Sequence, residues 1–159
     1  MKSINQLNSD KFQYLIIRFP NVVGPHLTHG LIYDLYKQIR NDSESIIILG
    51  NGYQRKQYIH VSELIRAIVE IQETVESGVF NIAPRNTSTS VKEIVTQFTN
   101  HNDISKDINY GLDAFGWIGD VPSYILSTNK IVSLGIEIQM GSNEATHQAI
   151  IENKNLIND

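Results

Sequence analysis

The sequence of 159 residues contains no cysteine, which excludes disulfide bonds and thiolate metal sites. A chain without cysteine is compatible with the reducing cytosol, and we predict a cytoplasmic location. The five histidines form no metal-ligand spacing, because His26 and His29 lie close together but lack further ligands nearby. We therefore predict that the chain binds no metal.

Long apolar runs are also missing, and positive charge is not in excess. Runs such as YLIIRF and SIIILG are far too short to cross a bilayer and are typical of buried strands. The net charge of −4 argues against non-specific binding of nucleic acid. With 41% hydrophobic and 19% charged residues, the composition is typical of a soluble globular protein with neither a membrane nor nucleic acid as partner.

Strand-like and helix-like segments alternate along the chain, which predicts an α/β fold. Strands are expected at 12–19, 45–49, 57–61, 78–84 and 107–110, and helices at 29–40, after Ser62, after Ser90, at 127–135 and at about 142–155. The first strand, FQYLIIRF, is almost continuously apolar, as in strands that a parallel sheet buries on both faces.

Local signals mark several helix ends. Ser62 is expected to cap the second helix, Ser90 and Glu93 form a capping-box pattern before the third, and Gly135 ends the short fourth helix. In the first helix, one apolar stripe is formed by Leu31, Ile32, Leu35, Tyr36 and Ile39.

The segment from Gly50 to Val61, GNGYQRKQYIHV, begins like a phosphate-binding glycine loop. A dinucleotide fingerprint requires a third glycine and a helix directly after the loop, and this segment has neither. Instead, the cations Arg55 and Lys56 precede a strand-like run. The pattern favours a turn over Gly50–Lys56 between two strands, in a hairpin-like excursion.

Catalytic side-chain patterns are not evident from the residues alone. The sequence contains no GxSxG elbow, and neither a serine–histidine–acid set nor a carboxylate pair stands out. Ligands of open α/β sheets bind beyond the carboxyl ends of strands, where RFPNVVGP and NIAPRNTSTS are expected. Both segments are equally typical of tight strand-to-helix connections, and the residues alone favour that simpler interpretation.

Four segments together resemble a known family. IIRFPNVVGPHLTHGLIYD, ILGNGYQRKQYIHVSEL, VFNIAP and GWIGDVPSYILSTNKIVSLGI follow the order and spacing of the carboxyl-terminal half of extended short-chain dehydrogenase/reductases. The chain is most similar to UDP-glucose 4-epimerase and its NAD-dependent epimerase/dehydratase relatives, over roughly residues 10–150. The resemblance implies the last Rossmann strands plus the small substrate-binding domain, as one unit over 1–159 without the amino-terminal NAD-binding half.

The resemblance also implies roles for individual residues. A nucleotide sugar is expected to contact Asn21, Gly30, Leu31, Ile47, Leu49, Lys56 and Tyr124. The nicotinamide end of the cofactor is expected to contact Phe19, Pro20 and Val22. Each of these residues has an ordinary structural alternative, such as a turn position for Asn21 or plain core for the Ile47–Leu49 strand.

The diphosphate part of the pattern departs from the family. Where relatives usually have an arginine followed by an aspartate, this chain has Lys56 and Gln57. A lysine can still meet a diphosphate as a point charge, although it lacks the bidentate fork of arginine, and Arg55 could share or replace its role. A second family arginine, two residues before GD, is Trp117 here, which leaves the exact substrate open.

The family's catalytic residues belong to its amino-terminal half. Neither GxGxxG nor GxxGxxG occurs in this chain. The Tyr33–Lys37 pair has the Tyr-x-x-x-Lys spacing, but it follows the NVVGP segment whereas the family's pair precedes it. We therefore expect no catalytic residue here and no catalysis by the chain alone.

We thus predict the nucleotide-sugar-binding part of an NAD-dependent epimerase, with NAD in the complete enzyme and none bound by the isolated chain. The expected partners are a UDP-type nucleotide sugar, a separate amino-terminal Rossmann half, and further copies of the chain, since strand 12–19 would lack its usual neighbours. The alternatives are a non-catalytic binding or interaction module, a truncated gene product, and half of a nucleotide-sugar 4,6-dehydratase.

Overall fold

Short parallel strand pairs and the helices between them form the framework of the computed structural model, which describes residues 13–121 and 123–157. The strands are β1 (Leu15–Arg18), β2 (Asn21–Val23), β3 (Ser45–Ile48), β4 (Arg55–Lys56), β5 (Tyr58–His60), β6 (Gly78–Asn81), β7 (Thr89–Ser90) and β8 (Asp107–Tyr110). The helices are α1 (Leu31–Arg40), α2 (Val61–Thr74), α3 (Val91–His101), α4 (Asn129–Val132) and α5 (Ser142–Glu152), followed by a 3₁₀ helix (Lys154–Ile157).

Strand pairing confirms the predicted α/β class. β1 pairs with β6, β2 with β5 and β3 with β8, all in parallel, while β4 and β7 pair antiparallel. Parallel pairs need long crossover connections, and in this chain helices occur in each of them. None of the helices in the described residues is long and apolar enough to cross a membrane.

Buried side chains form two cores. The first is built around α1, β3, α3 and α5, and the second around β5, α2, β6 and α4. In the first core, the Tyr36 hydroxyl donates to the Ile150 carbonyl at 2.6 Å, and the Tyr36 ring meets Phe98 edge-on with centroids 4.7 Å apart. The β2–β5 pair joins the cores, because Val23 belongs to the first and Ile59 to the second.

Several local predictions are confirmed. Ile32, Leu35 and Tyr36 of α1 are buried, as the apolar stripe predicts. Ser90 and Glu93 form the predicted capping box at the start of α3. The short helix α4 occurs within the predicted 127–135 segment.

The predicted hairpin between the strands at 45–49 and 57–61 is wrong. β3 pairs with β8, and Arg55–Lys56, predicted as part of a turn, forms β4 and pairs with β7. The loop in between carries the chain from one strand pair to another instead of folding it back. Gly50 and Gly52 make this possible with φ angles of 74° and 82°, a backbone conformation that favours glycine.

Two further predictions require correction. β1 is not buried on both faces: Ile16 and Arg18 are exposed, while Leu15 and Ile17 are half-buried. Among the described residues β1 has a single strand neighbour, β6, so one of its edges is unpaired. Ser62 is not the cap of α2, which begins one residue earlier.

The cap of α2 is His60, which ends β5. Its Nδ1 accepts from the Ser62 backbone N–H at 3.4 Å and contacts the Ser62 hydroxyl at 2.7 Å. The other ring nitrogen, Nε2, lies 2.9 Å from a Glu152 carboxylate oxygen of α5. A single side chain thus starts α2 and links it to the first core.

Glu63 ties the first turn of α2 to the segment before α5. Its Oε2 accepts from the Arg66 guanidinium at 2.9 Å and from the Gln139 backbone N–H at 2.7 Å. Burial by itself would raise the pKa of this carboxyl, but the hydrogen bonds from Arg66 and Gln139 outweigh it and hold the pKa below its usual value.

We expect Glu63→Gln to destabilise the fold in a pH-dependent way. Because the pKa of Glu63 is lower in the folded chain, its ionised form stabilises the fold above the unfolded pKa of about 4.3 and less as the pH falls through the folded pKa. In urea unfolding, the free energy of unfolding should be lower for the variant than for wild type at pH 7, and this difference should become smaller below about pH 4. The exposed Glu73→Gln on the same helix is the control, and an equal gap at pH 7 and pH 3 would contradict this account.

Candidate functional site

A cavity of about 550 Å³ opens between the two strand pairs β2–β5 and β3–β8, next to the start of α1. This volume lies in the range of small-molecule sites. Apolar side chains make most of the wall, and the polar groups that reach it come from Asn21, His29, Asp34, Gln38, Gln54, Lys56, Tyr58 and Asp120.

The structure brings most of the predicted site residues together. Those that line the cavity are Asn21, Val22, Gly30, Leu31, Ile47, Leu49 and Lys56. Phe19, Pro20 and Tyr124 do not line it. Phe19 is 49% exposed and Pro20 is buried just before β2.

Tyr124 is hydrogen-bonded to Asn21, which lines the cavity. Burial raises the pKa of the Tyr124 phenol, and a hydrogen bond from the Asn21 backbone N–H partly offsets this effect. Asn21 therefore connects the cavity with Tyr124, although Tyr124 itself does not line the cavity.

Lys56 meets a carboxylate that the sequence did not reveal. Its Nζ forms an ion pair with Asp120 Oδ1 and lies 4.8 Å from the centroid of the Trp117 ring. The two charged side chains are 15% and 3% exposed, respectively. The Gly116 backbone N–H donates to the other Asp120 oxygen at 3.0 Å.

These contacts determine how Asp120 titrates. Burial alone would raise the pKa of its carboxyl, but the hydrogen bond and charge of Lys56 and the backbone N–H of Gly116 hold the pKa below its usual value. Asp120 is thus ionised at neutral pH and neutralises Lys56.

Arg55, the neighbouring cation, points away from the cavity. Its guanidinium donates to the Ser88 carbonyl and to the Glu93 carboxylate, each at 2.7 Å. Successive side chains of a strand point to opposite faces, so a strand that directs Lys56 into the cavity directs Arg55 out of it. The structure does not support the expectation that Arg55 shares the role of Lys56 in this cavity.

The same alternation identifies a residue that the sequence analysis missed. Gln54, Lys56 and Tyr58 all line the cavity, at a spacing of two from the residue before β4 to the start of β5. Burial, together with the nearby Tyr124, raises the pKa of the Tyr58 phenol to about 12, although the Asn21 side chain bonds to it and lowers it in part. Tyr58 is therefore a neutral phenol at the cavity wall.

Gln57, on the opposite face from Lys56, is fully buried and structural. Its amide donates to the Pro84 carbonyl at 2.7 Å and its oxygen accepts from the Leu126 backbone N–H at 2.6 Å. It thus fixes β5 to the chain after β6 and to the segment that follows Tyr124.

The described residues do not fit two kinds of cofactor site. They contain no group of three or more histidine, aspartate and glutamate side chains that could hold a metal ion. The Gly50–Gly52 loop leads into β4 and not into a helix, so it offers no helix N-terminus for the pyrophosphate of a dinucleotide. The arrangement at the cavity is that of a binding site: a largely apolar slot that an ammonium, a phenol, several amides and two carboxylates reach.

Comparison with known proteins agrees with this architecture. Residues 3–83 match the model of the NAD dependent epimerase/dehydratase family. A curated relative, dTDP-D-glucose 4,6-dehydratase of Mus musculus, is 24% identical over 133 residues, which make up 79% of this chain and 36% of the relative.

Solved structures show the same fold over most of the chain. The crystal structure of a UDP-galactose 4-epimerase superposes with a TM-score of 0.74 at 26% identity, covering 87% of this chain and 44% of that one. MoeE5 in complex with UDP-glucuronic acid and NAD gives a TM-score of 0.72 at 27% identity, covering 87% and 46%. The chain thus spans less than half the length of these proteins.

Proposed function

Because the chain belongs to the NAD dependent epimerase/dehydratase family, we propose that its cavity is the nucleotide-sugar site of a UDP-glucose 4-epimerase-like enzyme. The observation that carries this proposal is the convergence of Asn21, Lys56 and Tyr58 on one apolar slot. UDP-glucuronic acid is the ligand of one solved neighbour, which supports a UDP-type nucleotide.

The cavity wall suggests how such a ligand would lie. Ile47 and Leu49 are 63% and 65% exposed at the rim, and such apolar surface suits the flat face of a base. Lys56 would take the diphosphate as a point charge. The sugar would lie towards Asn21, whose amide can both donate to and accept from hydroxyl groups.

We also propose that residues 1–159 form a single substrate-binding half that does not catalyse alone. NAD would supply hydride chemistry in a complete enzyme, but the Gly50–Gly52 loop offers no helix N-terminus for its pyrophosphate. Tyr33, the tyrosine with Tyr-x-x-x-Lys spacing, lies on α1 and does not line the cavity. This chain's own part would be to hold the nucleotide and leave the sugar ring free to turn, in a cytoplasmic protein.

The cavity should therefore bind UDP weakly and NAD not at all. A diphosphate held by one lysine and one amide gains charge-assisted hydrogen bonds of about 1.5–3 kcal/mol each, which suggests millimolar affinity, about −4 kcal/mol. Titrations of UDP, UDP-glucose and NAD followed by NMR should shift the Asn21, Leu49 and Lys56 signals with the first two ligands only.

Lys56→Ala should abolish the UDP response, whereas Arg55→Ala should retain it. The pair is well matched, because adjacent cations are removed from opposite faces of β4. Tight NAD binding without a response to UDP would contradict the assignment of this chain to the nucleotide-sugar side.

The open edge of β1 suggests a second property, association of the isolated chain. Among the described residues β1 pairs on one side only, and Ile16 is 37% exposed. We expect light scattering to show oligomers that Ile16→Lys disperses. The same change at the fully exposed Ile118 is the control. A monodisperse wild-type monomer with a sharp cooperative melt would argue against edge association.

A separate amino-terminal Rossmann half is the partner that would complete the enzyme. If the proposal holds, mixing this chain with such a half should yield a complex that interconverts UDP-glucose and UDP-galactose. The relationship to a dTDP-D-glucose 4,6-dehydratase supports a second candidate, and an assay with dTDP-glucose that detects a 4-keto product separates the two. A stable complex that turns over no nucleotide sugar would favour a non-catalytic binding module.

A further inference from the structure

The charges that line the cavity are unfavourable for a diphosphate. Lys56 is the one lysine or arginine among the described lining residues, and it is opposed by the carboxylates of Asp34 and Asp120. A ligand carrying two or more negative charges would therefore enter a slot whose formal charge is already negative. Any affinity for a diphosphate must come from local contacts at Lys56.

Other side chains of the protein already occupy the Lys56 ammonium. The Lys56 ammonium bonds to Asp120 and faces the Trp117 ring. Because both charged side chains are largely buried, water and salt screen their attraction only slightly. The ammonium thus presents little uncompensated charge to the cavity.

Asp120 is also held in place independently of Lys56. The Gly116 backbone N–H donates to the second carboxylate oxygen of Asp120, and the Asp120 backbone N–H donates to the Trp117 carbonyl at 3.1 Å. A diphosphate oxygen that approached Lys56 would lie beside this fixed carboxylate, and like charges at such distances repel.

We propose that Asp120 is a specificity-determining residue that acts as an internal counter-anion: it occupies the Lys56 ammonium, and a ligand's diphosphate gains that ammonium only in competition with it. This inference rests on the proposed nucleotide site. Its consequence is that the two phosphates of UDP add less to the affinity of uridine in the wild-type chain than they would if Lys56 were not paired with Asp120.

Asp120→Asn tests the proposal, because the side chain keeps its size and loses its charge. Relative to uridine, UDP should bind the variant about tenfold better than it binds wild type, as expected for one charge-assisted hydrogen bond. Asp113→Asn removes the same charge from an exposed position of the same loop and should change nothing. The double variant Lys56→Met/Asp120→Asn should not show this gain in the affinity of UDP relative to uridine.

A second measurement needs no nucleotide. Trp117 is the chain's single tryptophan, so its fluorescence reports the potential beside Lys56. Asp120→Asn should raise quenching by iodide about two- to fivefold and lower quenching by caesium, because the cation beside the ring loses its counter-charge. Asp113→Asn again serves as the control.

The possible results distinguish a failure of the inference about Asp120 from a failure of the proposed nucleotide site. An unchanged or lower preference for UDP over uridine in Asp120→Asn would overturn the inference and make Asp120 a group that positions Lys56. Unchanged iodide quenching would overturn it as well, since Lys56 would not have been neutralised. Stronger iodide quenching without binding of either ligand to any variant would support Asp120 as the neutralising charge and overturn the proposed nucleotide site.

Discussion

The parallel pairing of β2 with β5 is the constraint on which the site depends. Its register sets Asn21 opposite Tyr58 and Val23 opposite His60. This pairing joins the two cores and holds the amide and the phenol on one wall. Since β4 directly precedes β5, the same pairing fixes the position of Lys56, and the alternation of side chains then directs it into the cavity. A one-residue slip would exchange the faces of the whole strand.

Much of the fold could be predicted from local patterns. The stripe of α1 and the capping box of α3 were confirmed because both are set by residues three or four apart. Strand pairing could not be predicted in this way. The β3–β8 pair joins residues about sixty positions apart, so the glycine turn after β3 was wrongly taken for the loop of a hairpin. β1 was taken for a doubly buried strand because its composition suits one, whereas the structure leaves Ile16 exposed.

The same difference between local patterns and long-range contacts decides which site residues could be predicted. Residues on elements with regular periodicity reached the cavity as expected, and the spacing of two from Gln54 to Tyr58 could have added the phenol. The Lys56–Asp120 pair could not be foreseen, because it links residues separated by 64 positions and one of them lies in an irregular loop. The resemblance drew attention to the missing arginine at Trp117. It did not reveal that a carboxylate three residues later neutralises the remaining cation.

A crystal structure of the chain with saturating UDP-glucose tests the central claim most directly. The account predicts the uracil along Ile47 and Leu49, the diphosphate within hydrogen-bond distance of Lys56 Nζ, and the sugar towards Asn21. Nucleotide bound outside this cavity, for example beside Arg55 on the face of α3, would contradict it.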